Sequence, residues 1–223
     1  MSLSKSKVIG VGTMCYVTTT DNKSVLKGHQ VWFDGSLRLA REETIYKHLG
    51  NHSQILTCFG LEEVHSGVYS PRLEMAPLGS IRAYIQKNPN SPPPIRQRLQ
   101  MALDVAAGVS YVHLRRALLC DLSCTNLFVF DGLRIKLGHF GGALLDGFDF
   151  RWDQTHEELF GLGPFPELND EEVDGKYARE EFPPLDSNVA RNVIWNCWAE
   201  VYVTAQEVRN DLDQILGKSG YLS

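Results

Sequence analysis

The chain has 223 residues, 43% hydrophobic, 10% aromatic and 22% charged, with a formal net charge of −5. That length suits one ordinary domain, and the balance belongs to a globular chain, excluding a disordered tail, a collagen-like repeat or a coiled coil. No apolar run approaches the ~20 residues of a membrane span, and the acidic excess argues against a nucleic-acid partner. The N-terminal MSLSKSKVIGVG lacks an apolar signal core. Five scattered cysteines, Cys15, Cys58, Cys120, Cys124 and Cys197, point to reduced thiols and a cytoplasmic location rather than a disulfide framework.

In chain order, Lys7–Val17 and Ser24–Lys27 read as strands, broken by Gly10, Gly12 and the turn at Asp21-Asn22. Helical spacing follows from Leu37 to Leu49, with Leu39, Ile45, Tyr46 and Leu49 as its apolar positions. Ile55–Leu61 and Val68–Met75 are further strand candidates, and Asn88–Pro94 (NPNSPPP) is a breaker and natural boundary. Ile95, Leu99, Ala102, Ala106, Val109 and His113 then fall on one face of a helix over Ile95–Leu114. Leu127–Phe130 and Arg134–Leu137 form a short strand pair across the hairpin-type turn Asp131-Gly132. Gly141–Pro184 is rich in Gly, Pro and acids, and the acidic run Glu157–Asp186 reads as a solvated face. Asn188–Leu216 reads as one or two helices, with Trp195 and Trp198 as core anchors.

Three segments then point one way: VIGVGTMCYV (Val8–Val17) with SVLK (Ser24–Lys27), CDLSCTNLFV (Cys120–Val129), and IKLGHFGG (Ile135–Gly142). In order and spacing they resemble the protein-kinase set G-x-G-x-x-G-x-V, V-A-I-K, H-R-D-L-x-x-x-N and D-F-G. REETIYKHLGNH (Arg41–His52) looks like that family's αC helix, LEMAPLGSI (Leu73–Ile81) like its hinge and following helix, and CWAEVYVTAQEV (Cys197–Val208) like its C-terminal segment. The resemblance implies an α+β, bilobal kinase-like fold in a single domain over residues 1–223. Its β-rich N-lobe would span about 1–76, and its mainly helical, shortened C-lobe about 77–223. It implies ATP as cofactor, with Mg²⁺ or Mn²⁺, and a protein as substrate or partner.

Residue by residue, the resemblance gives Gly10 and Gly12 the approach to phosphates, and Lys27 the α/β-phosphates. Glu42 would pair with Lys27, with Glu43 as rival. Asp121 would accept or orient the proton of the attacking hydroxyl, and Asn126 would hold a metal. Glu74, Met75 and Ala76 would offer backbone hydrogen bonds to adenine, with Leu73 as gatekeeper. Val17, Val25 and Phe128 would enclose the base, the last two bulkier than usual and expected to weaken ATP binding.

The departures from the pattern are equally specific. His139 stands where the family has its metal-binding Asp, and a hard cation wants oxygen. Cys15 replaces the third glycine, and Leu119 and Cys120 replace His and Arg before Asp121. Without that Arg, switching by loop phosphorylation loses its docking cation. Tyr46, Leu119 and Phe140 could still stack as a packed spine between lobes. No A-P-E follows His139-Phe140-Gly141; Asp153–Gly163 resembles the start of the family's αF helix, and Pro164–Val173 the segment beyond it. Impaired transfer is therefore expected, with an inactive pseudokinase module or a truncated copy as the alternative.

Overall fold

A computed structural model of the protein describes residues 7–11, 15–19, 21, 23–29, 36–65, 68–145, 172, 175–176, 179, 181, 189–199 and 201–218. The chain forms two compact units, Met1–Phe148 and Asp149–Ser223. The fold is α+β.

In the first unit, β1 (Lys7–Val11), β2 (Cys15–Thr19), β3 (Ser24–His29), β4 (Cys58–His65) and β5 (Val68–Glu74) form a five-stranded antiparallel sheet in the order β1-β2-β3-β5-β4. The strands expected over Lys7–Val17, broken by Gly10 and Gly12, are β1 and β2, paired with Val11 opposite Tyr16. The strand expected from Ile55 starts later, at Cys58. Ile55 and Leu56 are apolar because they enter the core, 1% and 4% exposed, and Ile55 bridges to Leu137 outside the sheet.

Helix α1 (Ser36–Leu49) buries Glu42, Ile45, Tyr46 and Leu49. These positions recur at three and four residues, so they form one stripe. The helix α2 (Ile81–Lys87) is capped by Ser80, whose side chain accepts from the Ala83 N–H. Asn88–Pro94 separates α2 from α3 (Ile95–Leu114). Short pairs follow, β6 (Ala117–Leu118) with β9 (Leu144–Leu145) and β7 (Leu127–Val129) with β8 (Ile135–Leu137). The β7–β8 connection turns through a 3-10 turn over Asp131–Leu133, with positive φ at Gly132 and Leu133.

The buried face of α3 differs from the apolar pattern. Leu99 and Ala106 are buried as expected, but Ala102 and His113 are exposed and Ile95 is 42% exposed. The face turns instead on Met101, Asp104, Gly108 and Val112. Asp104 accepts two hydrogen bonds from the Arg134 guanidinium, at 2.7 and 2.6 Å, and one from the Ile135 N–H at 3.0 Å. Gly108 is needed for close approach, since a Cβ there would lie 2.5 Å from Leu137 Cδ1. A polar and a side-chain-free position thus dock α3 on β8, and neither contributes to an apolar pattern.

In the second unit, α4 (Arg191–Trp198) and α5 (Ala205–Lys218) are described. Thr204 and Glu207 form a reciprocal cap on α5: Glu207 Oε2 accepts from the Thr204 N–H at 3.0 Å, and Thr204 Oγ1 from the Glu207 N–H at 3.4 Å. Trp195, expected in the core, is 52% exposed. The side chain of Trp198 lies outside the described residues, as do Asp153–Gly163, most of Pro164–Val173 and most of the acidic run.

Replacing Asp104 by Ala strands the buried Ile135 N–H and should cost on the order of 2 kcal/mol in urea unfolding. Ala102→Ser, on the exposed side of the same helix, should change stability by less than about 0.5 kcal/mol. Equal effects would contradict the observed helix face.

Candidate functional site

The site begins on the sheet. Val17 pairs with Lys27 across β2–β3, and Val25 with Leu73 across β3–β5. Opposite residues of an antiparallel pair, and residues two apart on a strand, project to the same side. Val17, Val25, Lys27 and Leu73 therefore share one face. On the other face, the Tyr16 ring covers Gly28, where a Cβ would clash with it.

Lys27 is 7% exposed, and a buried ammonium requires partners. Its Nζ donates to Glu42 Oε2 at 2.6 Å and to His139 Nδ1 at 2.8 Å. Glu43 turns instead to Lys47, one helical turn on. Burial pushes the Glu42 carboxyl up. The Lys27 ammonium, the His139 ring when charged, the Lys27 hydrogen bond and the Phe140 N–H outweigh it and hold the group below its ordinary 4.5. His139 itself has a left-handed backbone, φ 61 and ψ 60, a region in which His is over-represented among non-glycine residues.

Helix α1 is fixed to the His139-Phe140-Gly141 turn by two further contacts. The Tyr46 and Phe140 rings meet edge to face, centroids 5.0 Å apart at 87°, and Leu119 packs on the same core. Burial, then the Glu42 charge, push the Tyr46 hydroxyl well above its ordinary range. The Arg41 guanidinium donates to the Ala143 carbonyl at 2.8 Å. This contact was not anticipated, and its signal is only a cation next to Glu42.

Asp121 and Asn126 lie in the loop between β6 and β7. Asn126 Nδ2 donates to the Asp121 carbonyl at 3.2 Å, and the Gly138 N–H donates to the Asn126 carbonyl at 3.1 Å. The loop is thereby tied to the residue before His139. Gly138 was also missed. A Cβ there would fall 2.7 Å from Leu56 Cδ1 and 2.8 Å from Phe128 Cε2. The large side chain of Phe128 is thus accommodated by an absent one at residue 138, which offsets part of the bulk expected to crowd the cleft.

In the hinge, the Glu74 N–H donates to Thr57 O at 2.8 Å and the Met75 N–H to Lys23 O at 3.0 Å. The Ala76 N–H has no partner among the described residues. The Glu74 side chain accepts from Lys136 Nζ at 2.9 and 2.8 Å and from the Thr57 N–H at 3.1 Å. Burial raises its pKa, but the Lys136 and Thr57 donors prevail and lower it. Gly10 sits in β1 opposite Val17, where a Cβ would make an ordinary 3.8 Å contact; the fold does not itself require glycine there. Gly12 lies outside the described residues. A surface cavity of about 280 Å³, lined by Glu43, Tyr46, Cys58 and Phe59 among others, contains neither Lys27 nor His139.

The donors do not suit a hard divalent cation. Where the resemblance expects a carboxylate, His139 places a nitrogen already engaged with Lys27. Asn126 retains one side-chain oxygen, Oδ1, and Mg²⁺ and Mn²⁺ are bound mainly by several oxygens. Among the described residues no group of three or more His, Cys, Asp or Glu could hold a metal ion.

The protein tyrosine and serine/threonine kinase family matches residues 20–146, more than half of the chain. The chain belongs to that family. It is 25% identical over 154 residues to mitogen-activated protein kinase kinase kinase 20 of Arabidopsis thaliana, covering 64% of this chain and 45% of that protein. It is 32% identical over 162 residues to the probable serine/threonine-protein kinase CCRP1 of Zea mays, 66% of this chain and 24% of that protein. It is 34% identical over 128 residues to serine/threonine-protein kinase SBK2 of Homo sapiens, 53% of this chain and 36% of that protein. The chain therefore spans less than half the length of each.

Breaking the buried pair with Glu42→Gln should cost about 3 kcal/mol near neutral pH, measured by urea unfolding. Because the folded carboxyl titrates below 4.5, its contribution is complete above that pH and is lost as pH falls through the folded value. The gap between wild type and Glu42→Gln should accordingly narrow below pH 4.5. A gap independent of pH would contradict an ionised Glu42.

Proposed function

We propose that this chain is a nucleotide-binding protein-kinase domain whose transfer of the ATP γ-phosphate to a protein hydroxyl is impaired. The observation that carries the reading is the buried Lys27 ammonium, held by Glu42 and His139. An ammonium has three N–H donors. Two are spent on these partners, and the third is left for a phosphate oxygen. Val17, Val25 and Leu73 on the same sheet face would cover the base together with Phe128. The Glu74 carbonyl and the Ala76 N–H would meet its edge, and Gly10 and Gly12 would approach the phosphates.

The Asp121 carboxylate would take the proton of the attacking hydroxyl, in the loop that Asn126 ties to Gly138. Transfer is impaired because charge develops on the phosphoryl oxygens, and the residue beside Lys27 is an imidazole rather than a carboxylate. The engagement of His139 Nδ1 by Lys27 favours a second reading, a binding module without turnover. We place the boundary between lobes near residue 76, at the hinge. The partner is a protein, and five free thiols support a cytosolic setting. No described helix is long and apolar enough to cross a membrane.

The test pairs thermal shift with radiolabel transfer to self and to a generic protein substrate. ATP should raise the melting temperature of wild type and of Asp121→Asn but not of Lys27→Ala. Label on wild type should be weak, and no greater on Asp121→Asn. Label above the Asp121→Asn level supports residual transfer, label equal to it the binding module, and no shift with ATP contradicts nucleotide binding.

A further inference from the structure

We infer that the cleft takes its nucleotide as the metal-free anion, the Lys27 ammonium and the His139 imidazole together standing where a divalent cation and its carboxylate would otherwise meet the phosphates. The inference rests on the nucleotide-binding reading above and concerns the form of the ligand.

The argument is one of donor polarity. A lysine ammonium can only donate hydrogen bonds. The 2.8 Å contact between Lys27 Nζ and His139 Nδ1 therefore makes Nδ1 the acceptor. A neutral imidazole with an accepting Nδ1 carries its proton on Nε2. One ring nitrogen is engaged and the other is protonated, so neither offers a lone pair to a cation.

Charge points the same way. Glu42 is 1% exposed and its carboxylate is matched by Lys27 at 2.6 Å. With a carboxylate at residue 139, this group of three would carry a net negative charge and repel a triphosphate until a cation intervened. With a neutral imidazole the three sum to zero. Asn126 Nδ2 is turned to the Asp121 carbonyl, so Asn126 has a single oxygen to offer a metal. With Lys27 and His139 as donors, and Asp121 as the carboxylate beyond the Lys27–Glu42 pair, this corner suits an anion better than a cation–anion complex.

The experiment measures ATP affinity for the whole chain by calorimetry and thermal shift, in EDTA, in Mg²⁺ and in Mn²⁺. The expected result is an affinity in EDTA within about threefold of that with either metal, a difference under the ~1.4 kcal/mol that corresponds to a factor of ten. His139→Asp should become metal-dependent, binding at least about tenfold more tightly with Mg²⁺ than in EDTA. His139→Asn, which adds no charge, should stay indifferent to metal and serves if His139→Asp does not melt cooperatively. Wild-type binding seen only with metal, or improved tenfold or more by it, overturns the inference while leaving nucleotide binding intact. Metal indifference in a folded His139→Asp overturns the role given to residue 139. No affinity under any condition overturns the nucleotide-binding reading and this inference with it.

Discussion

A lysine ammonium that is 7% exposed governs this structure. Taking such a charge out of water costs several kcal/mol unless partners compensate, and removing one partner leaves an uncompensated charge. Lys27 finds its partners on α1 and just after β8, two elements far apart in sequence. Satisfying one cation thus requires the sheet, the helix and the turn at His139 to be placed together. The edge-to-face Tyr46–Phe140 pair adds about 1 kcal/mol to the same junction, and the Arg41 bond to Ala143 O closes it from the side.

The two acceptors of Lys27 are not equivalent. A carboxylate brings charge, whereas an imidazole brings only a lone pair. At about 4 Å and an effective dielectric near 20, one unit charge is worth roughly 4 kcal/mol. Exchanging a carboxylate for a neutral ring beside an existing carboxylate removes a repulsion of that order from the pair of acids, and it removes the attraction that would recruit a cation. The same exchange also removes the attraction that a carboxylate at residue 139 would feel from the Lys27 ammonium beside it.

Much of the fold and part of the site could be read from the chain because their signals are local. The hairpin at Asp131-Gly132 follows from turn residues, and Lys27, Asp121, Asn126 and His139 follow from ordered motifs. The choice of Glu42 over Glu43 required helix geometry, since neighbouring residues differ by about 100° around the axis and both are buried here. The buried face of α3 departs from its apolar pattern because Asp104 and Gly108 leave no mark in such a pattern, although they carry the contact with β8. Ile55 reads as a strand residue because a buried apolar residue looks alike in a strand and in a core loop. Lys136–Glu74 and Phe128–Gly138 are contacts across the fold, and no spacing in one sequence encodes them.

The Phe128–Gly138 contact changes how the cleft should be understood. From the sequence, a bulky Phe128 appeared only as an obstruction. In the structure its ring lies against the missing side chain of Gly138, and interiors tolerate size changes best when volume is conserved between neighbours. On β8, Lys136 braces the hinge through Glu74, while the Ala76 N–H has no partner among the described residues. The parts that would hold a base are thus packed and braced, whereas the part that would manage phosphoryl charge is altered. Catalysis depends on interactions stronger in the transition state than in the bound complex. On the proposed reading, keeping the holding groups and replacing the charge-managing one would separate binding from transfer within a single cleft.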